Sequence, residues 1–398
     1  MVHRMGVTNL GGMLVLALGG AIPAQEVRSP MREVRGVVHG AAAGESVRVT
    51  LLHNDLRVSA VDAAGETIAA ADGAFTFRAV PWFEKQQWGS HSFVVIARSK
   101  QHVGVQVLRG DDADPTTVRI ELAPPRAVRG VLRGADGTPA AGVEVWARIL
   151  GDAQQPFRVW LSAPLPAWSA ITRADGSFVI DGLPAITRLH LLTRSDDHAR
   201  TEIALDDLTK PVAATLQAAG KVRGMVVLPD GKPAARVRVV TTGEGAQYGW
   251  TLTADDGTFC LAGLAAGTYK VWAEAPNLTV VAVTGLEVVA GRVVEGQLVK
   301  LVNGGFIQGR LVDPDGKPIA PGPSTDVAMY GPARGDGGSC EASPVLPDGT
   351  FRIRAPAGRN HIYLRGAEGW SEPSEYVDVV EGQETKVEWK LQRAGKAR

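Results

Sequence analysis

Short alternating stretches of apolar and polar residues run through the whole 398-residue chain, separated by turn residues. One region shows the pattern clearly. Val222-Arg223-Gly224-Met225-Val226-Val227 alternates and is rich in β-formers, which predicts a strand. Pro229-Asp230-Gly231-Lys232-Pro233 predicts a turn, because Gly accepts positive φ and the prolines cannot join a central ladder. Val237-Arg238-Val239-Val240 predicts the next strand, and Asp255-Asp256-Gly257 a second turn. Thr258-Phe259-Cys260-Leu261 follows, with Phe259 and Leu261 on one face and Cys260 on the other. After the turn Gly263-Leu264-Ala265-Ala266-Gly267, further strands are predicted over 269–273, 280–289 and 293–302. No stretch carries a capped helical period.

Two phrases are written four times. The first reads Val34-Arg35-Gly36-Val37, Val128-Arg129-Gly130-Val131, Val222-Arg223-Gly224-Met225 and Ile307-Gln308-Gly309-Arg310. The second reads Asp72-Gly73-Ala74-Phe75, Asp175-Gly176-Ser177-Phe178, Asp256-Gly257-Thr258-Phe259 and Asp348-Gly349-Thr350-Phe351. A Pro-flanked turn recurs as Asp136-Gly137-Thr138-Pro139 and Asp315-Gly316-Lys317-Pro318, and has decayed to Ala43-Gly44-Glu45-Ser46 in the first copy. Seven residues after the turn Asp stand Ala79, Gly182, Gly263 and Ala355. The spacing between copies is too long for a solenoid repeat, which runs roughly 20 to 50 residues. It suits small domains, each with its own core. The predicted fold is all-β: four tandem antiparallel β-sandwiches over 25–124, 125–219, 220–302 and 303–398, after a leader over 1–24.

This order of strands, Asp-Gly turns and Gly-Leu turn resembles the carboxypeptidase regulatory-like domain. The resemblance implies a transthyretin-like (Ig-like) sandwich, found in tandem in secreted bacterial proteins. It covers nearly the whole chain beyond the leader, best in the third and second copies. Its motifs are turn and core residues, so it speaks for a fold far more than for a function.

Composition narrows the picture. The 42 basic and 42 acidic residues balance, leaving no basic footprint for nucleic acid. Arg4, the apolar or glycine run from Leu10 to Ile22 and the small Ala24 form a secretory signal pattern, which predicts export to the periplasm or cell surface. No later segment is long and apolar enough to span a membrane. The two cysteines, Cys260 and Cys340, fall in different copies and read as free thiols or as an interdomain disulfide.

Catalytic patterns do not appear. None of the eight histidines opens a His-x-x-Glu or His-Glu-x-x-His motif, and there is no Gly-x-Ser-x-Gly elbow. Neither a metal site nor a cofactor is expected. Acidic strings at Asp111-Asp112-Ala113-Asp114, Asp196-Asp197, Asp206-Asp207 and Asp313-Pro314-Asp315 raise calcium, but none supplies six to eight oxygens alone.

Loop tryptophans are the candidate ligand-binding residues. Trp82 and Trp88 lie in an insertion of the first copy, and Trp160 and Trp168 in a Pro-rich insertion of the second. An indole offers a flat apolar face and one donor, suited to a glycan or a cell-surface protein. The competing reading is that these loops fold back and bury the rings. Trp146, Trp272 and Trp389 fall within predicted strands and suit packing or an interdomain seam. The functional expectation is a non-catalytic spacer, adhesive or binding module. The alternatives are a carbohydrate-binding protein and an accessory subunit of a separately encoded hydrolase.

Overall fold

The computed structural model describes residues 31–393 apart from 43, 56–59, 82–90, 109–116, 153–158, 244–247, 276–277, 320–324 and 331–340. The leader, Trp82, Trp88, Cys340 and the acidic string 111–114 lie outside the described residues.

Eight sheets follow one another as four sandwiches. In the third, Thr258–Leu264, Gly220–Val227, Val293–Val302 and Thr279–Val281 form one sheet in that order. Tyr248–Leu252, Arg238–Gly243, Gly267–Glu274 and Val283–Val288 form the facing sheet. The other sandwiches keep this order with a three-stranded first sheet, lacking a counterpart of Thr279–Val281, and the second has an extra short strand in its facing sheet. The only helical turn among the described residues is the 3-10 turn Pro166–Trp168.

The predicted antiparallel pairing holds with one correction. In every sandwich the first and last strands are parallel neighbours: Gly36 faces Val118, Gly130 faces Val212, Gly224 faces Gln297 and Gly309 faces Val387. The chain crosses to the facing sheet and back between these strands. The last strand thus reaches the free edge of the first while running in the same direction.

The two repeated phrases meet across the sheet. Gly36 stands opposite Phe75, Gly130 opposite Phe178, Gly224 opposite Phe259 and Gly309 opposite Phe351. A Cβ on these glycines would lie 2.3, 2.7, 2.8 and 2.2 Å from the facing ring. Glycine is therefore required by close approach, and each buried Phe fills the space that a side chain would have taken. The Asp-Gly turn that launches each Phe strand has its glycine at φ 84, 78, 78 and 81° (Gly73, Gly176, Gly257, Gly349). In each turn the Asp carboxylate accepts the N–H two residues on, at 2.9–3.0 Å.

Seven residues past the turn Asp, three of these strands bulge. Gly182 and Gly263 take φ 66 and 70° there, where the ladder register shifts. Ala79 takes φ 56° at the same place without being glycine. Ala355 pairs Gly305 in unbroken register, and the fourth sandwich has no such bulge.

The cores do not divide evenly. Separate buried clusters fill the third sandwich, from Val222 to Leu301, and the fourth, from Ile307 to Leu391. The first sandwich has its own cluster between its sheets, with Phe75, Phe77, Phe93 and Ile120. The outer face of its four-stranded sheet is buried as well. Leu52, Val94, Ile96, Val105 and Val107 belong to the same cluster as Leu161, Leu165, Trp168 and Phe178 of the second sandwich. One hydrophobic cluster thus crosses the linker at 124.

Candidate binding surface

The insertion of the second sandwich is the element that meets the first. Val159–Trp160 adds a short strand against Ile149 and Leu150, with Val159 facing in and Trp160 facing out. Asn54 of the first sandwich, only 1% exposed, binds the backbone beyond it. Its Nδ2 donates to the Trp160 carbonyl at 2.8 Å, and its Oδ1 accepts from the Ser162 N–H at 2.9 Å and hydroxyl at 2.7 Å. Arg98 adds a bond from Nη2 to the Gly182 carbonyl at 3.1 Å.

The sequence groups Trp160 and Trp168 together, and the structure separates them. Trp168 is fully buried, and its Nε1–H donates to the Gly182 carbonyl at 2.9 Å. It has no face left for a ligand, because the turn Pro166–Trp168 directs the ring into the cluster that Leu161 and Leu165 share. Trp160 is 46% exposed.

Around Trp160 the outer face of the sheet carries a polar network. The ladder shifts register between Ile149 and Ala147, and Arg148 is the extra residue. Its guanidinium lies 5.5 Å from the Trp160 ring centre. Arg148 Nη1 donates to Glu202 Oε2 at 3.1 Å, and His190 Nδ1 meets Glu202 Oε1 at 2.6 Å. An exposed indole, a guanidinium, an imidazole and a carboxylate are thereby brought together from four neighbouring strands. The sequence names Trp160 as a candidate but not these neighbours. His190 alternates with the inward Leu189 and Leu191, but Arg148 sits at the register shift, so the grouping becomes readable only once the register is known.

Other aromatic side chains sit on outer faces too. Trp250 is 42% exposed beneath Arg238, 5.1 Å from its ring centre. In the fourth sandwich Tyr376 stacks on His361 at 4.7 Å and carries Arg359 at 4.6 Å. Trp146, Trp272 and Trp389 are buried.

In each of the three acidic strings among the described residues a carboxylate has a protein partner. Asp197 bonds Lys221, Asp207 bonds Thr209, and Asp313 accepts the N–H groups of Asp315 and Lys317. Among the described residues no group of three or more His, Cys, Asp or Glu side chains could hold a metal ion. No described helix is long and apolar enough to cross a membrane. Cys260 is exposed, on the strand face opposite Phe259.

Residues 221–301 match the family model of the carboxypeptidase regulatory-like domain. The match spans the third sandwich, whose strand order the other three share apart from the strand Thr279–Val281. No curated protein matches the chain. Among solved structures, the TIE protein of Bacillus anthracis is similar at 11% identity, over 91% of this chain and 75% of that one, with a TM-score of 0.22. GBS52, the minor pilin of Streptococcus agalactiae, is similar at 12% identity over 45% and 98%, with a TM-score of 0.25. BcpA, the major pilin subunit of Bacillus cereus, is similar at 12% identity over 68% and 100%, with a TM-score of 0.19. Likenesses this distant say nothing of what the chain binds.

Proposed function

We propose that this chain is an exported, non-catalytic string of sandwiches that acts as a spacer or adhesive module at the cell surface or in the periplasm. The hydrophobic cluster crossing from the first sandwich to the second carries the reading. Burying an outer sheet face against the next sandwich, and bonding Asn54 across the joint, restrains the angle between them. Such rigidity serves an element that must hold distance. The leader pattern supports export, and the regulatory-like match supports a non-catalytic module. Small-angle scattering tests it. A compact globule of this length has a radius of gyration of about 21 Å. The spacer reading expects a clearly larger value and an elongated distance distribution. A value near the compact limit would sink it.

A second reading, a glycan-binding module, draws on one observation: Trp160 stays exposed beside hydrogen-bonding side chains while its neighbour Trp168 is buried.

A further inference from the structure

We infer that Trp160, Arg148, Glu202 and His190 form a binding site for a neutral oligosaccharide, a step that rests on the glycan-binding reading above. The comparison of two outer sheet faces motivates it. On the first sandwich that face is aliphatic, with Leu52, Val94, Ile96, Val105 and Val107, and protein covers it. On the second, the face around Trp160 combines one exposed ring with charged side chains that bond one another. An aliphatic segment docked there would strip water from Arg148 and Glu202 without replacing their hydrogen bonds, which is costly. A polyhydroxylated ligand would not, because each hydroxyl both donates and accepts.

Charge selects among such ligands. Arg148 and Glu202 form an ion pair, so the site presents no net charge from that couple. An anionic sugar meets the Glu202 carboxylate, and a cationic one meets Arg148. A neutral sugar meets neither penalty. The guanidinium keeps donors beyond the one given to Glu202, and a carboxylate accepts more than the two bonds seen here. The indole supplies an apolar surface for the C–H face of a pyranose ring. The site lies against the Asn54 joint, which holds its backbone at Trp160 and Ser162.

Isothermal titration of the full chain tests the site, with cellohexaose, maltohexaose and xylohexaose as neutral probes and oligogalacturonate as the anionic one. At least one neutral hexasaccharide should bind. Trp160→Ala should weaken it by about tenfold or more, and Trp160→Phe should keep most of the affinity. Asn54 grips only the backbone of residue 160, so Trp160→Ala should fold, as thermal melting would verify. If it does not, Glu202→Gln serves instead and should also weaken binding. The inference is overturned if no neutral hexasaccharide binds, if oligogalacturonate binds more tightly, or if folded Trp160→Ala binds unchanged. An elongated chain that binds no sugar refutes this site and the glycan-binding reading, and leaves the spacer. A compact chain whose sugar binding needs Trp160 refutes the spacer and leaves the site.

Discussion

Asn54 and Ser162, 108 residues apart, are joined by two hydrogen bonds, from the Ser162 N–H and hydroxyl to one Asn54 oxygen. The other end of the Asn54 amide holds the Trp160 carbonyl and the Ser92 hydroxyl. One small side chain in the first sandwich therefore fixes the path of the insertion in the second. Asn54→Ala should remove the amide bonds to the Trp160 carbonyl and the Ser162 N–H in a part-buried seam. Each group left without a partner costs about 1–3 kcal/mol. The expected result is a lower denaturation midpoint for the first two sandwiches. An unchanged midpoint would show that water replaces the amide.

The shared cluster makes a separate prediction about cooperativity. The first two sandwiches should unfold as one unit, while the third and fourth, with clusters of their own, can unfold alone. Limited proteolysis should cut near 219 and 303 before it cuts near 124, since protected linkers resist nicking. Early release of a fragment ending near 124 would show that the seam adds little stability.

Much of this architecture is legible in the chain before folding, and the reason is physical. Asp256-Gly257 predicts a tight turn because only glycine takes φ near 78° cheaply, and Phe259 and Leu261 share a buried face because strands alternate. The match between Gly224 and Phe259 is present in both repeated phrases, yet neither phrase says that it faces the other. Cross-strand register joins residues distant in sequence, and local pattern does not encode it. The same limit explains the binding surface. Trp160 and Trp168 look alike as loop indoles, and the inward turn at Pro166 separates their fates. Arg148, His190 and Glu202 come from three strands and carry no joint signature in sequence.

Ala79 offers a stabilising substitution. It holds φ 56° at the bulge where Gly182 and Gly263 stand in the next two sandwiches. An L-residue pays about 1–2 kcal/mol in that region, partly offset by the extra unfolded-state freedom that glycine brings. Ala79→Gly should raise stability by up to about 1 kcal/mol in chemical denaturation. A loss would mean that the Ala79 methyl packs usefully enough to outweigh the strain.

Acid should weaken the turns. Hydroxyl donation from Ser177, Thr258 and Thr350, followed by the backbone N–H of the same residues, holds Asp175, Asp256 and Asp348 below the ordinary carboxylate range. With folded pKa values depressed, the unfolded chain binds more protons as pH falls. Stability from these groups is therefore full above the ordinary Asp value of about 3.9 and is lost as pH drops through the folded values. Asp256→Asn keeps an acceptor oxygen but cannot titrate. Between about pH 5 and pH 2, melting of the third sandwich should fall less steeply in this variant than in the parent. Identical slopes would place the acid sensitivity elsewhere.

The parallel pairing of first and last strands has a mechanical meaning. A pull along the chain would enter the third sandwich at Gly220 and leave at Val302, the outer ends of two strands that are bonded side by side. Tension then slides one strand past the other and loads their rungs together, whereas a hairpin pulled from its open end unzips one rung at a time. Forced rupture is set by an unfolding rate rather than by equilibrium stability. Stretching single chains should accordingly give discrete, high-force steps for the third sandwich. A soft, continuous extension would show that this geometry does not bear tension.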